Sequence, residues 1–212
     1  MIIHHDPEFV ITLQRVIEFI GTFAFALSGI RLAASKHYDW LGGFVCGIAV
    51  AIGGGTIRDV MLGVRPFWML SPIYMICTLF AQCVVIVCHH YLRRLDATWF
   101  LFDTLGLALF NIAGIQKTLE CGFPFWVAII MGCITGAAGG VIRDVLLNEE
   151  PVIFRKEIYA MACVVGGLTY WLLSWLQVSL YITVIATFAI VCAIRFFAVR
   201  YHISLPKLRD EE

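Results

Sequence analysis

The sequence predicts an all-α polytopic membrane protein: seven transmembrane helices, six of them in two inverted three-helix repeats and one added. Three observations carry this reading. Of 212 residues, 61% are hydrophobic and only 14% charged. Mean hydropathy is +0.89. Soluble domains run near half apolar and about a quarter charged. Seven apolar runs also approach the ~20 residues that a hydrocarbon core requires. Finally, the second half of the chain matches the first under one constant shift.

The runs fall at 10–30, 40–61, 70–91, 98–115, 125–147, 158–175 and 178–197. The last two are divided on "WLQVS" (175–179), the clearest polar interruption in a stretch otherwise free of charge from Ile158 to Ile194. A tail, 201–212, closes the chain, and the whole reads as one transmembrane domain over 1–212. The N-terminal "MIIHHDPEFV" has no basic segment before its apolar run, so the first helix is expected to stay.

With seven spans the termini lie on opposite sides. Arg31, Lys36, Arg93, Arg94, Arg155, Lys156, Arg200, Lys207 and Arg209 gather on one side. The other has Arg65 and Lys117, with Arg15 just inside the first span. Positive loops stay cytoplasmic. The expectation is an N-terminus outside and a cytoplasmic C-terminal tail.

Zero net charge offers no attraction for nucleic acid. The eight cysteines form no CxxC pair and no Cys/His zinc spacing, and they read as small buried hydrophobes. His4–His5 and His89–His90 read as interfacial polar residues. No nucleophile–base set or metal set points to an enzyme, and no cofactor is expected.

The shift that carries Gly53 onto Ala138 lays "GGGTIRDVMLGVRP" (53–66) on "AGGVIRDVLLNEEP" (138–151). Seven of the nine positions from Gly54 to Leu62 are identical to their partners. The register extends from 18–91 to 103–176 and includes Gly21/Gly106, Gly29/Gly114, Gly47/Gly132 and Tyr74/Tyr159. Each repeat holds three spans. Three is odd, so the second copy enters from the opposite face. Such inverted repeats are common in transporters, whose sites lie near the midplane at matching broken helices.

Glycine costs about 1 kcal/mol relative to Ala inside a helix. Gly53, Gly54 and Gly55, and Ala138 with Gly139 and Gly140, therefore predict kinks or unwound turns in helices two and five. Unwound backbone at that depth needs water or protein around it, which points to a cavity. The alternative is close helix packing. Gly43/Gly47 and Gly132/Gly136/Gly140 have the small-xxx-small spacing that permits it.

Six intramembrane charges accompany the glycines: Glu18, Arg58, Asp59, Asp103, Arg143 and Asp144. A charge at mid-bilayer costs at least about 2.5–3.5 kcal/mol. Glu18 lies about 12 Å into the first helix at 1.5 Å per residue. Arg58 and Asp59 lie near the outer end of the second. Asp103, Arg143 and Asp144 fall in the inner half by the same logic. Two charged layers would then flank a glycine-rich middle, with Ser28, Asn111 and Thr135 as polar lining. Arginine–carboxylate pairing that locks helices together is the structural alternative. Four carboxylates against two arginines suit a cation. Helix N-termini facing the midplane favour an anionic group. A cation and a small zwitterion both remain open on these grounds.

The doubled "GGGTIRDVMLG" (53–63) and "GAAGGVIRDVLL" (136–147), in a 3+3+1 helix plan, resemble the trimeric intracellular cation (TRIC) channels. The likeness is to their bacterial members, which are also labelled glycine transporters. The resemblance implies a homotrimer in a bacterial inner membrane, with one pore per subunit, passing potassium and sodium. It also implies that the kinks of helices two and five bend around that pore. A carrier of glycine-like zwitterions is the second reading, and a non-conducting scaffold the third. Ala138 departs from the pattern, standing where the first copy has Gly53.

Overall fold

The computed structural model describes residues 7–88, 98–154, 158–201 and 203. It contains α1 (Pro7–Ser35), α2 (Trp40–Met61), α3 (Ile73–Val87), α4 (Thr98–Glu120), α5 (Phe125–Leu146), α6 (Ala160–Trp175) and α7 (Leu180–Arg200). Two short 3-10 turns, Phe67–Met69 and Val152–Phe154, precede α3 and α6. His4, His5, His89, His90, the basic residues of 92–97 and 155–156, and most of the 201–212 tail lie outside the described residues.

Local chemistry sets the ends of these helices. Asp39 caps α2 by accepting the Gly42 amide at 2.7 Å. Pro72 and Pro124 stand immediately before α3 and α5. His37, Gly63, Gly122, Asn148 and Gln177 adopt positive φ just past helix C-termini. Gln177 makes the turn between α6 and α7 inside the 175–179 interruption.

Among the described residues, five helices are long and apolar enough to cross a bilayer; α3 and α6 are shorter. Their 15 and 16 residues span about 22–24 Å. The runs at 70–91 and 158–175 overstate them. Residues 70–72 and 158–159 lead into the two helices, and the 3-10 turns that precede them carry Phe67 and Val152 to the charged sites described below. Trp40, Trp126 and Trp175 are exposed at helix ends, where amphipathic rings meet a membrane interface.

α1 and α4 form the centre. Gly21 takes the Phe110 ring and Gly106 takes the Phe25 ring. Phe25 and Phe110 stack with centroids 5.3 Å apart. As one helix advances the other retreats, so the two cross antiparallel. α2 and α5 cross in the same way. A methyl group at Gly54 would run into the Thr135 carbonyl, and one at Gly139 would lie 2.6 Å from the Val50 carbonyl. The chain segments 7–87 and 98–175 thus run in opposite directions around these two crossings.

The glycines do not unwind the chain. α2 and α5 are continuous helix through 53–55 and 138–140. At Gly53, Gly54 and Gly139 the space a side chain would fill is occupied by the partner helix, at Gly55 by the Phe67 ring and at Gly140 by the Tyr159 hydroxyl, so packing explains these glycines where an unwound turn was expected. Any bend at the glycines lies within unbroken helix. Gly47 against Ile30, and Gly132 and Gly136 against the Asn111 and Leu107 backbone, serve the same close approach. α7 packs on α6 and α4.

Candidate functional site

Two buried charged sites stand at opposite ends of the α2–α5 crossing. In the first, Arg58 Nε donates to Asp59 Oδ1 at 2.7 Å. Its Nη2 reaches Glu18 Oε1 on α1 at 3.1 Å. The second oxygen of Asp59 accepts the Phe67 amide at 2.7 Å. Tyr74 on α3 donates to Glu18 Oε2 at 3.2 Å. The Phe67 ring packs edge-on against Tyr74 with centroids 4.5 Å apart and lies 5.6 Å below the Arg58 guanidinium. One network therefore ties three helices and a 3-10 turn together.

The second site repeats these contacts with the matching residues of the second copy. Arg143 Nε donates to Asp144 Oδ1 at 2.8 Å, and its Nη1 pairs with Asp103 on α4. Asp144 Oδ2 accepts the Val152 amide at 2.9 Å. Tyr159 donates to Asp103 Oδ1 at 3.4 Å. Trp99 provides the aromatic face, 5.3 Å from the Arg143 guanidinium.

Trp99 is not the match of Phe67, which is Val152, and the sites differ in two further respects. Ser28 on α1 accepts from Arg143 Nη1 at 2.8 Å. Its counterpart in the second copy is Ala113, fully buried. Arg58 Nη1 is buried without a hydrogen-bond partner among the described residues. The other difference is Arg195 of α7, which is fully buried. Its Nη2 lies 4.0 Å from Asp103 Oδ2, and its Nη1 donates to the Ile158 carbonyl at 3.4 Å. Its guanidinium covers the Phe100 and Tyr159 rings at 4.9 and 4.7 Å.

All six sequence-predicted charges thus gather into two groups of three, and their side chains are at most 6% exposed. This is the arginine–carboxylate pairing. Of the predicted polar lining, only Ser28 joins a charged site. Asn111 donates to the Cys163 carbonyl at 3.3 Å. Thr135 returns its hydroxyl to Met131 in its own helix. Tyr74 and Tyr159 stand out in sequence only as one identity in the self-match, which says nothing of their role as carboxylate donors. Arg195 escapes sequence reasoning because it sits one residue beyond the charge-free run. Counting it, three arginines face four carboxylates among the described residues. Among the described residues, no group of three His, Cys, Asp or Glu side chains could hold a metal ion.

The family described as Glycine transporter matches this chain twice, over residues 15–90 and 100–175. The chain is 37% identical to the UPF0126 inner membrane protein YadS of Escherichia coli, over 92% of its own length and 96% of that protein's. It is 38% identical to a UPF0126 membrane protein of Vibrio cholerae, over 92% and 82%. A solved TRIC cation channel superposes with TM-score 0.81 at 32% identity, covering 93% of this chain and 98% of that one.

The chain belongs to the TRIC family, in the bacterial branch described as Glycine transporter.

A TRIC trimeric intracellular cation channel orthologue from Rhodobacter sphaeroides superposes with TM-score 0.83 at 29% identity, over 91% of this chain and all of that one. The TRIC fold accordingly describes the whole seven-helix plan of this protein.

Proposed function

We propose that this protein is a monovalent cation channel, permeable to potassium and sodium, with one pore per subunit of a homotrimer. The observation that carries this reading is the whole-chain likeness to TRIC cation channels at 32% identity. The pore runs beside the α2–α5 crossing, and the two charged sites form its constrictions. Glu18, Asp59, Asp103 and Asp144 supply the cation-attracting field, and Arg58 and Arg143 tether them. In the described state each carboxylate is paired, which corresponds to a closed pore. Opening slides α2 and α5 past each other at Gly53–Gly55 and Ala138–Gly140, where few side chains interlock. The internal duplication, 18–91 with 103–176, supplies the two equivalent ends. The protein resides in the bacterial inner membrane, with the N-terminus outside.

A second reading, a carrier for glycine or a similar zwitterion, is favoured by the family's description. An adjacent arginine and carboxylate at each end could meet the two charges of such a solute. Proteoliposomes separate the readings. The channel predicts potassium efflux that is fast and does not saturate with glycine. Saturable uptake of radiolabelled glycine without potassium efflux would support the carrier instead.

A further inference from the structure

We propose that a polar clasp across the Asp144 end of the α2–α5 crossing holds the pore closed, and that opening must break it. The proposal rests on the channel reading above. The clasp joins the start of α2 to the end of α5. Tyr38, one residue before the Asp39 cap, donates its hydroxyl to the carbonyl of Leu146, the last residue of α5, at 3.3 Å. Lys36 forms an ion pair with Glu149 in the turn beyond. That turn is fastened to the charged site. The Glu149 amide donates to the Asp144 carbonyl at 2.8 Å, and Asp144 holds the Val152 amide. Sliding of α2 along α5 changes the separation of these two helix ends and so strains the clasp.

The opposite end has the same turns without the clasp. The repeat register pairs Lys36 with Cys121, Tyr38 with Phe123, Leu146 with Met61 and Glu149 with Val64. The backbones agree. His37 and Gly122 both adopt positive φ, as do Asn148 and Gly63. The Val64 amide reaches the Asp59 carbonyl at 2.9 Å, as Glu149 does at Asp144. The side chains do not agree: Phe123 has no hydroxyl, and Cys121 and Val64 cannot form an ion pair. Glycine also reaches positive φ without steric cost, so the turns at Gly63 and Gly122 are freer than those at His37 and Asn148. Chemistry and backbone freedom both make the Asp144 end the fastened one. The Lys36 and Glu149 side chains are 41% and 31% exposed. Such a pair is weak, which suits a contact that must break and re-form during gating.

Open probability in planar bilayers tests the clasp. Lys36→Glu sets two negative charges together, and Tyr38→Phe removes the hydroxyl donor. Each should raise the open-to-closed ratio roughly two- to five-fold. Lys36→Glu combined with Glu149→Lys reverses the pair and should return the ratio to the wild-type value. In wild-type protein the ratio should also rise between about 0.1 M and about 1 M KCl, because a Debye length of about 3 Å screens an exposed pair. Lys36→Gln should remove that salt dependence. A ratio that neither single substitution changes would overturn the proposal. So would a reversed pair that stays as open as Lys36→Glu, or wild-type gating indifferent to salt. The salt series needs only wild-type protein, so it decides the question even if a variant does not fold. Wild-type protein that passes no unitary current overturns the channel reading and this proposal with it, whereas normal currents with unaltered gating overturn the clasp alone.

Discussion

Asp59 and Asp144 are bound on both oxygens, one to the neighbouring arginine and one to a backbone amide eight residues on. An asparagine has only one acceptor oxygen, so it gives up one of these bonds and turns an NH2 toward a donor. Asp144→Asn should therefore cost roughly 1.5–3 kcal/mol, the range for hydrogen bonds to charged groups. A lowered melting temperature in detergent would register the loss; an unchanged one would mean that the Val152 amide does not depend on Asp144. Glu18 is different, because Tyr74 can accept as well as donate. Glu18→Gln should keep the fold while removing one negative charge, making it the cleaner probe of selectivity. Its expected effect is a lower potassium-to-chloride permeability ratio with little change in melting temperature. The carboxylates and arginines were legible in the sequence because charges in apolar runs stand out. The backbone amides of Phe67 and Val152 were not, since any residue except proline carries one.

Among the elements, α2 falls at the 40–61 predicted for it, and α5 within one residue of the 125–147 predicted. Clear boundaries explain this agreement: Asp39 caps the first and Pro124 opens the second. α3 and α6 start later than their apolar runs, at Ile73 and Ala160, because hydropathy does not distinguish the residues that lead into a helix from the helix itself. The glycines are the main revision. In sequence a glycine triplet can signal either a broken helix or a close crossing, and only the partner helix decides between them. Two substitutions test the crossing. At Gly53 a methyl group meets only the terminal carbon of Ile142, a flexible tip, and the equivalent position already carries Ala138. Gly53→Ala should be nearly neutral. At Gly54 the methyl meets the Thr135 carbonyl, which is backbone and cannot step aside. Gly54→Ala should destabilise by about 1–3 kcal/mol, the usual cost of overpacking. Equal melting temperatures for the two variants would contradict the crossing geometry.

For the whole molecule, the register read from the doubled "IRDV" also pairs residues that make equivalent contacts at the two charged sites. A short shared motif could reveal this because the motif itself builds the site. The seventh helix was less legible. It lies on α4 and α6, and it also delivers Arg195 to a charged site. A single arginine near the end of an apolar run looks like an interfacial anchor until its neighbours are known. The proposed assembly predicts three copies of the chain by native mass spectrometry in detergent, with no stable monomer at micromolar protein. The central claim, cation conduction, is tested most directly by the reversal potential of purified protein in a planar bilayer across a KCl gradient. The account predicts unitary currents that reverse near the potassium equilibrium potential. Reversal near the chloride potential, or a bilayer that stays silent while the same preparation accumulates glycine in liposomes, would contradict it.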